Sequence, residues 1–194
     1  PKLGTLPLFP NRLVKAGAIS QLDVVGKAQE IGFDVIEFST LFLPEGETAV
    51  SFAPKLKAAC GEAGLPIVNY TIGADFLNGS DGDLEAEIGR VEEEVRVAEA
   101  LGAPGMRHDA TRGFKPEHAG PKSFDAALPR LIEGCRAITE YAAERGVKTM
   151  VENHGFFCQD SERLEKLVCG VDHPNFGALI DMGNFCCVDE DPPK

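Results

Sequence analysis

The chain has 194 residues, 43% of them hydrophobic and 26% charged, enough for one sizeable folded core. Its formal net charge of -12, with no run of Lys and Arg, argues against nucleic acid as a partner. No apolar run reaches the roughly 18 residues that a membrane span needs, and six cysteines with no CxxC pair fit a reducing cytosol better than a zinc ribbon, so no membrane association and a cytoplasmic location are expected.

In chain order, strand-like segments fall at Leu3–Leu8, Val35–Phe38, Ile67–Thr71, Gly105–His108, Val147–Glu152 and Gly177–Asp181. Helix-like segments lie near 20–31, 50–63, 84–101, 123–145 and 160–169. Ser20 with Asp23 reads as a capping box and Ser123 as a second helix start. Gly32, Gly64, Gly102 and Gly146 each end a helix just before an apolar strand. Regular alternation of helix, glycine, strand and loop predicts an α/β fold with a parallel sheet covered by helices. Six strands fit either an open doubly wound sheet or the first six strands of an incomplete TIM (β/α)8 barrel. The absence of a GxGxxG fingerprint after the first strand favours the barrel, read as a single domain over 1–194 that lacks strands seven and eight.

The chemistry concentrates late in the chain. V147-K-T-M-V-E152 and G177-A-L-I-D181 are apolar runs that each stop at a carboxylate. In a parallel sheet Glu152 and Asp181 emerge at the same C-terminal edge, where α/β enzymes carry their sites. Two hard oxygen donors on consecutive strand ends make a divalent-metal pair; a solvated acid at a strand end is the bland alternative. Strand alternation puts Lys148, Met150 and Glu152 on one face, with Val147, Thr149 and Val151 against helices. The same alternation pairs Val35 with Glu37 and leaves Ile36 and Phe38 for the helix layer. His154 follows Glu152 by two residues, His108 ends the fourth strand in M-R-H-D109, and Glu37 ends the second; each is a candidate substrate contact. For His108 an Arg107–Asp109 pair with the histidine incidental is the alternative, and for Glu37 a neighbouring Arg or Lys. The polar, glycine-rich G73-A-D-F-L-N-G-S-D-G-D83 segment is expected to act as a lid.

V-E-N-H-G155 after R-G-V-K148, followed by L-I-D-M-G-N184, resembles the sugar phosphate isomerase/epimerase family of xylose isomerase-like TIM barrels. The I-G-F-D-V-I-E37 and A-G-L-P-I68 segments are similar to it as well. The resemblance implies one divalent metal ion (Mn, Mg, Co or Zn) held by Glu, Asp, His and Glu from four successive strand ends. Glu152 and Asp181 match the first two; the other two belong to strands seven and eight. It further implies that Glu152 removes a proton from a sugar or sugar phosphate through a metal-stabilised cis-enediolate, giving epimerisation, isomerisation or dehydration. A non-catalytic sugar-binding or assembly module is the competing expectation for the 194 residues. An apurinic-site endonuclease on the same barrel is disfavoured by four histidines and the acidic charge. Apolar edge strands of an incomplete barrel would also favour association into homo-oligomers.

Overall fold

The structure of the protein, a computed structural model, describes residues 4–5, 8–155 and 157–188. Its elements in chain order are β1 (Gly4–Thr5), α1 (Leu8–Lys15), α2 (Gln21–Ile31), β2 (Val35–Phe38), α3 (Ala49–Glu62), β3 (Ile67–Ile72), α4 (Leu84–Leu101), β4 (Gly105–His108), α5 (Phe124–Ala143), β5 (Lys148–Glu152), α6 (Ser161–Val171), β6 (Phe176–Leu179) and α7 (Met182–Cys186). A 3₁₀ turn over Gly79–Gly82 interrupts the loop after β3.

The strand expected over Leu3–Leu8 is confined to Gly4–Thr5 among the described residues, and a helix already begins at Leu8. Pro10 makes this stretch read as non-helical. It sits in the first turn of α1, where backbone N–H groups have no intrahelical acceptor, so proline is tolerated there. The final strand also stops early, at Leu179 rather than Asp181. Asp181 instead caps α7, its Oδ1 accepting the Gly183 N–H at 2.8 Å.

Other local signals act as read. Ser20 Oγ accepts the Asp23 N–H at 3.1 Å while Asp23 Oδ2 accepts the Ser20 N–H at 2.8 Å, a complete capping box. Gly32, at φ 93°, ends the same helix in the left-handed region, where a Cβ would be strained. Ser123 caps α5 through the Ala126 N–H.

The chain packs as two compact units, one comprising residues through Ile72 with Arg96–Met106, the other Gly73–Val95 and the residues from Arg107 onward. In the first unit β1, β2 and β3 are parallel neighbours. Ile36 and Phe38 are fully buried, as are Leu56 of α3 and Val25 of α2 within a few per cent, so one sheet face meets the helices. The other face carries Glu37 and Asn69 directly opposite one another. In the second unit β5 and β6 pair in parallel, with Glu152 opposite Leu179. Val147, Thr149 and Val151 are buried, as the alternation predicts, and Thr149 exchanges a 2.7 Å hydroxyl contact with Thr139 of α5.

Candidate active site at the ends of β4, β5 and β6

Glu152 is the last residue of β5 and is about one-sixth exposed, at 17%. Its Oε2 accepts from Arg107 Nη2 at 2.7 Å, and the same nitrogen donates to Asp109 Oδ1 at 2.9 Å. Arg107 is almost entirely buried, so its guanidinium is held between two carboxylates in a low-dielectric setting. Asp109 Oδ1 also faces His154 Nδ1 at 3.3 Å. On the other side of Glu152, Oε1 accepts from Asn184 Nδ2 at 3.3 Å. Arg107 of β4 and Asn184 of α7 thus hold one strand-end carboxylate directly, and Asp109, just after β4, and His154, in the loop after β5, join it through Arg107.

Asp181 joins this neighbourhood through its backbone. Buried Asn153, next to Glu152, donates from Nδ2 to the Asp181 carbonyl at 2.8 Å and accepts the Asp181 N–H on Oδ1 at 2.7 Å. The Asp181 side chain itself is exposed and caps α7. Among the described residues no group of three or more His, Cys, Asp and Glu lies close enough together to hold a metal ion. Glu152 and Asp181 both carry carboxylates, the donor type that suits a hard divalent cation.

His108 ends β4 with no exposed surface. Its Nδ1 lies 2.9 Å from the Asp109 carbonyl, which only accepts, so Nδ1 carries the proton and Nε2 presents a lone pair. That Nε2 is buried without a hydrogen-bond partner. The ring packs edge-on to Phe76 at 5.9 Å and tilted against Phe176 at 6.2 Å. Burial pushes the imidazole down to about 4; the Asp109 carbonyl and charge offset only part of that. Glu37, in the other unit, pairs with no Arg or Lys among the described residues: Oε1 accepts from Asn69 Nδ2 at 2.9 Å and from the Thr71 hydroxyl.

The 73–83 segment is tied down at both ends rather than left free as a lid. Asp75 Oδ1 accepts from the Leu77 and Asn78 N–H groups and from Thr111 Oγ1 at 2.7 Å. Glu87, 2% exposed, accepts the Asp75 N–H, Ser80 Oγ and both Arg90 nitrogens. Burial alone would raise its carboxyl; the Arg90, Asp75 and Ser80 hydrogen bonds outweigh that and hold it low. A cavity of about 480 Å³ opens between this segment and Asp109, with Arg112 on its wall.

Sequence reasoning missed the Arg107 link to Glu152, and it missed Asn153 and Asn184. Arg107 and Asp109 stand two apart at a strand end, a spacing that puts both on one face, but nothing in the sequence says that Glu152 completes the set. Cys60, Cys135 and Cys158 are buried thiols: burial raises Cys60 to about 11 and Cys158 to about 12, and lifts Cys135 well above its ordinary value. Cys186 and Cys187 are exposed on α7 and just beyond it.

Residues 25–193 match the family of xylose isomerase-like TIM barrels. The chain belongs to that family. Its fold is the α/β TIM barrel, of which the described residues carry six strands, β1 to β6, with their covering helices. Solved structures share the fold. A probable 3-DHS dehydratase involved in petrobactin synthesis in Bacillus anthracis superposes with a TM-score of 0.73 at 19% identity, over 99% of this chain and 67% of that one. An L-ribulose 3-epimerase gives 0.72 at 17% identity, over 98% and 63%. A xylose isomerase-like TIM barrel/4-hydroxyphenylpyruvate dioxygenase fusion protein gives 0.71 at 19%, over 90% and 26%. The chain therefore spans about a quarter of the fusion protein and about two thirds of the other two. No curated protein sequence matches it. Among the described residues no helix is long and apolar enough to cross a membrane.

Proposed function

We propose that the protein is a divalent-metal-dependent isomerase or epimerase acting on a sugar or sugar phosphate. The observation that carries this reading is the placement of two acids at neighbouring strand ends, Glu152 closing β5 and Asp181 two residues past β6, with Asn153 tying the Asp181 backbone beside Glu152. In this reading Glu152 and Asp181 hold one cation, Mn, Mg, Co or Zn, from two hard carboxylates. A divalent cation bound there supplies Lewis acidity toward the carbonyl of a ketose.

The remaining steps belong to the side chains. Glu152 accepts the proton from the carbon next to the carbonyl, on a carboxylate that Asn184, at Oε1, and Arg107, at Oε2, keep in a fixed orientation. Protonation of the same carbon from the opposite face, by a second acid that the family resemblance assigns to strand eight, epimerises it; delivery of the Glu152 proton to the adjacent carbon interconverts ketose and aldose. His108 is the candidate substrate contact at the end of β4: its neutral tautomer leaves an acceptor lone pair on the buried Nε2, which a hydroxyl would meet once the ring is uncovered. His154, exposed and turned toward Asp109, contacts the substrate from the loop after β5. Glu37 takes a further hydroxyl in the first unit. An epimerase among the solved structures with this fold is consistent with the assignment.

The test is proton exchange. The full-length protein, loaded with Mn²⁺, is expected to wash deuterium from solvent into C3 of a ketose, and Glu152→Gln to abolish the exchange. Stoichiometric metal binding with no exchange into any ketose would overturn the isomerase and epimerase reading.

A further inference from the structure

We propose that Glu37, Asn69 and Thr71 form a subsite for neutral sugar hydroxyls, built into the sheet of the first unit, with Asn69 as its specificity-determining residue. The inference rests on the reading of the protein as a sugar enzyme and deepens it: that reading gives Glu37 a substrate hydroxyl, and the subsite adds Asn69 and Thr71, which it leaves without a ligand.

Three independent features converge on the subsite. The first is register. Ile36 lies opposite Ile67, but Glu37 lies opposite Asn69, so β3 holds one extra residue, Val68, between the two pairs. An uninterrupted ladder would place Val68 opposite Glu37 and send Asn69 to the helix side with Phe38. The bulge instead brings Asn69 onto the face of Glu37, the kind of re-aiming that bulges perform beside functional sites. The second is the composition of that face. Behind it, Ile36, Phe38, Tyr70 and Ile72 are buried among the helices, whereas Glu37, Asn69 and Thr71 form a polar cluster opposite.

The third feature is an unanswered acceptor. Asn69 is 6% exposed, and its Oδ1 is buried with no partner. The amide orientation is fixed, because Nδ2 donates to Glu37 Oε1 at 2.9 Å and a flipped amide would set oxygen against carboxylate. A buried carbonyl-type oxygen left unpaired costs about 1–3 kcal/mol, so a donor is expected to meet it. The acceptors the cluster keeps for a ligand are therefore the buried Asn69 Oδ1 and the half-buried Glu37 carboxylate. Acceptors of this kind take O–H groups and repel phosphate. The ligand part held here is a hydroxyl-bearing, uncharged stretch of a sugar.

The experiment is a titration of metal-free full-length protein with D-fructose, following the Asn69 side-chain amide resonances by NMR. Those resonances are expected to shift and saturate with the sugar. Asn69→Leu is expected to weaken binding by about tenfold, the loss of one hydrogen bond, and Thr71→Val to weaken it less. Wild-type resonances that stay fixed at high sugar concentration, or an Asn69→Leu variant that binds as the wild type does, would overturn the subsite; the wild-type arm decides even where the variant fails to fold. Binding is read without metal or turnover, so the subsite stands if Asn69-dependent binding is found while deuterium exchange is not, and falls if exchange is found without it.

Discussion

Asn153 grips the backbone of Asp181 with both ends of its amide, donating to the carbonyl at 2.8 Å and accepting the N–H at 2.7 Å. This pair of bonds continues the β5–β6 ladder past its last backbone pair, Glu152 with Leu179. It does so where β6 has already ended and the chain is turning into α7. One side chain therefore sets where the second acid of the candidate metal pair stands.

Replacing Asn153 by Ala is expected to cost about 1–3 kcal/mol, since the side chain is buried and two backbone groups lose their partner. If the two acids share a cation, affinity for Mn²⁺ should also fall, by about tenfold or more, as for other residues that orient ligands. Urea unfolding and calorimetric Mn²⁺ titration on the same samples check the two effects separately. Loss of stability with unchanged Mn²⁺ affinity would assign Asn153 to the fold alone.

Arg107 stands between Asp109 and Glu152 with little solvent access. Arg107→Met leaves two carboxylates facing each other without their shared cation, and a loss of about 3–5 kcal/mol is expected. Arg107→Lys keeps the charge but not the fork and should lose less. Chemical denaturation in the presence of a chelator measures both. A divalent cation added to Arg107→Met should then recover part of the loss, by replacing the positive charge beside Glu152.

His108 gives a pH signature. Its folded value, about 4, lies below the 6.5 of an exposed imidazole. Between those values the unfolded chain binds a proton and the folded chain does not. The stability tied to the neutral ring is therefore complete above about pH 6.5 and drains away as pH falls toward 4, by on the order of 3 kcal/mol at 1.36 per unit. Unfolding curves at several pH values, for wild type and His108→Gln, should show this component in the first and not in the second.

Gly134 in the middle of α5 lets the helix close on Phe76. A Cβ there would sit 2.5 Å from the ring. Gly134→Ala is expected to destabilise by about 1–3 kcal/mol through overpacking, against the usual gain from alanine in a helix. Because Phe76 also packs on His108, the near-ultraviolet circular dichroism and the His108 ring resonances should move with it.

Glu87 anchors the loop after β3. Glu87→Gln keeps the shape but weakens the bonds to Arg90, so amide exchange at Asp75 should quicken. Its carboxyl is held below the ordinary 4.5 in the folded chain, so the stability it supplies is present above that value and is lost as pH falls below it. Exchange rates unchanged in the variant would show that Asp75 alone fixes the loop.

Local chemistry was readable residue by residue. The Ser20–Asp23 box, the Ser123 cap, the glycines that end helices and the period-two burial of Val147, Thr149 and Val151 are short-range effects, determined by neighbours within a turn or along a strand. So was the family, through V-E-N-H-G155 and L-I-D-M-G-N184. The Arg107 bridge to Glu152, the Asn153 grip on Asp181 and the pairing of Glu37 with Asn69 were not readable. Each joins residues more than 25 positions apart. Their meeting depends on strand register, and a single extra residue such as Val68 moves a side chain from one face of a sheet to the other. Periodicity assigns a residue to a face; only the packed sheet decides which distant residue stands beside it there.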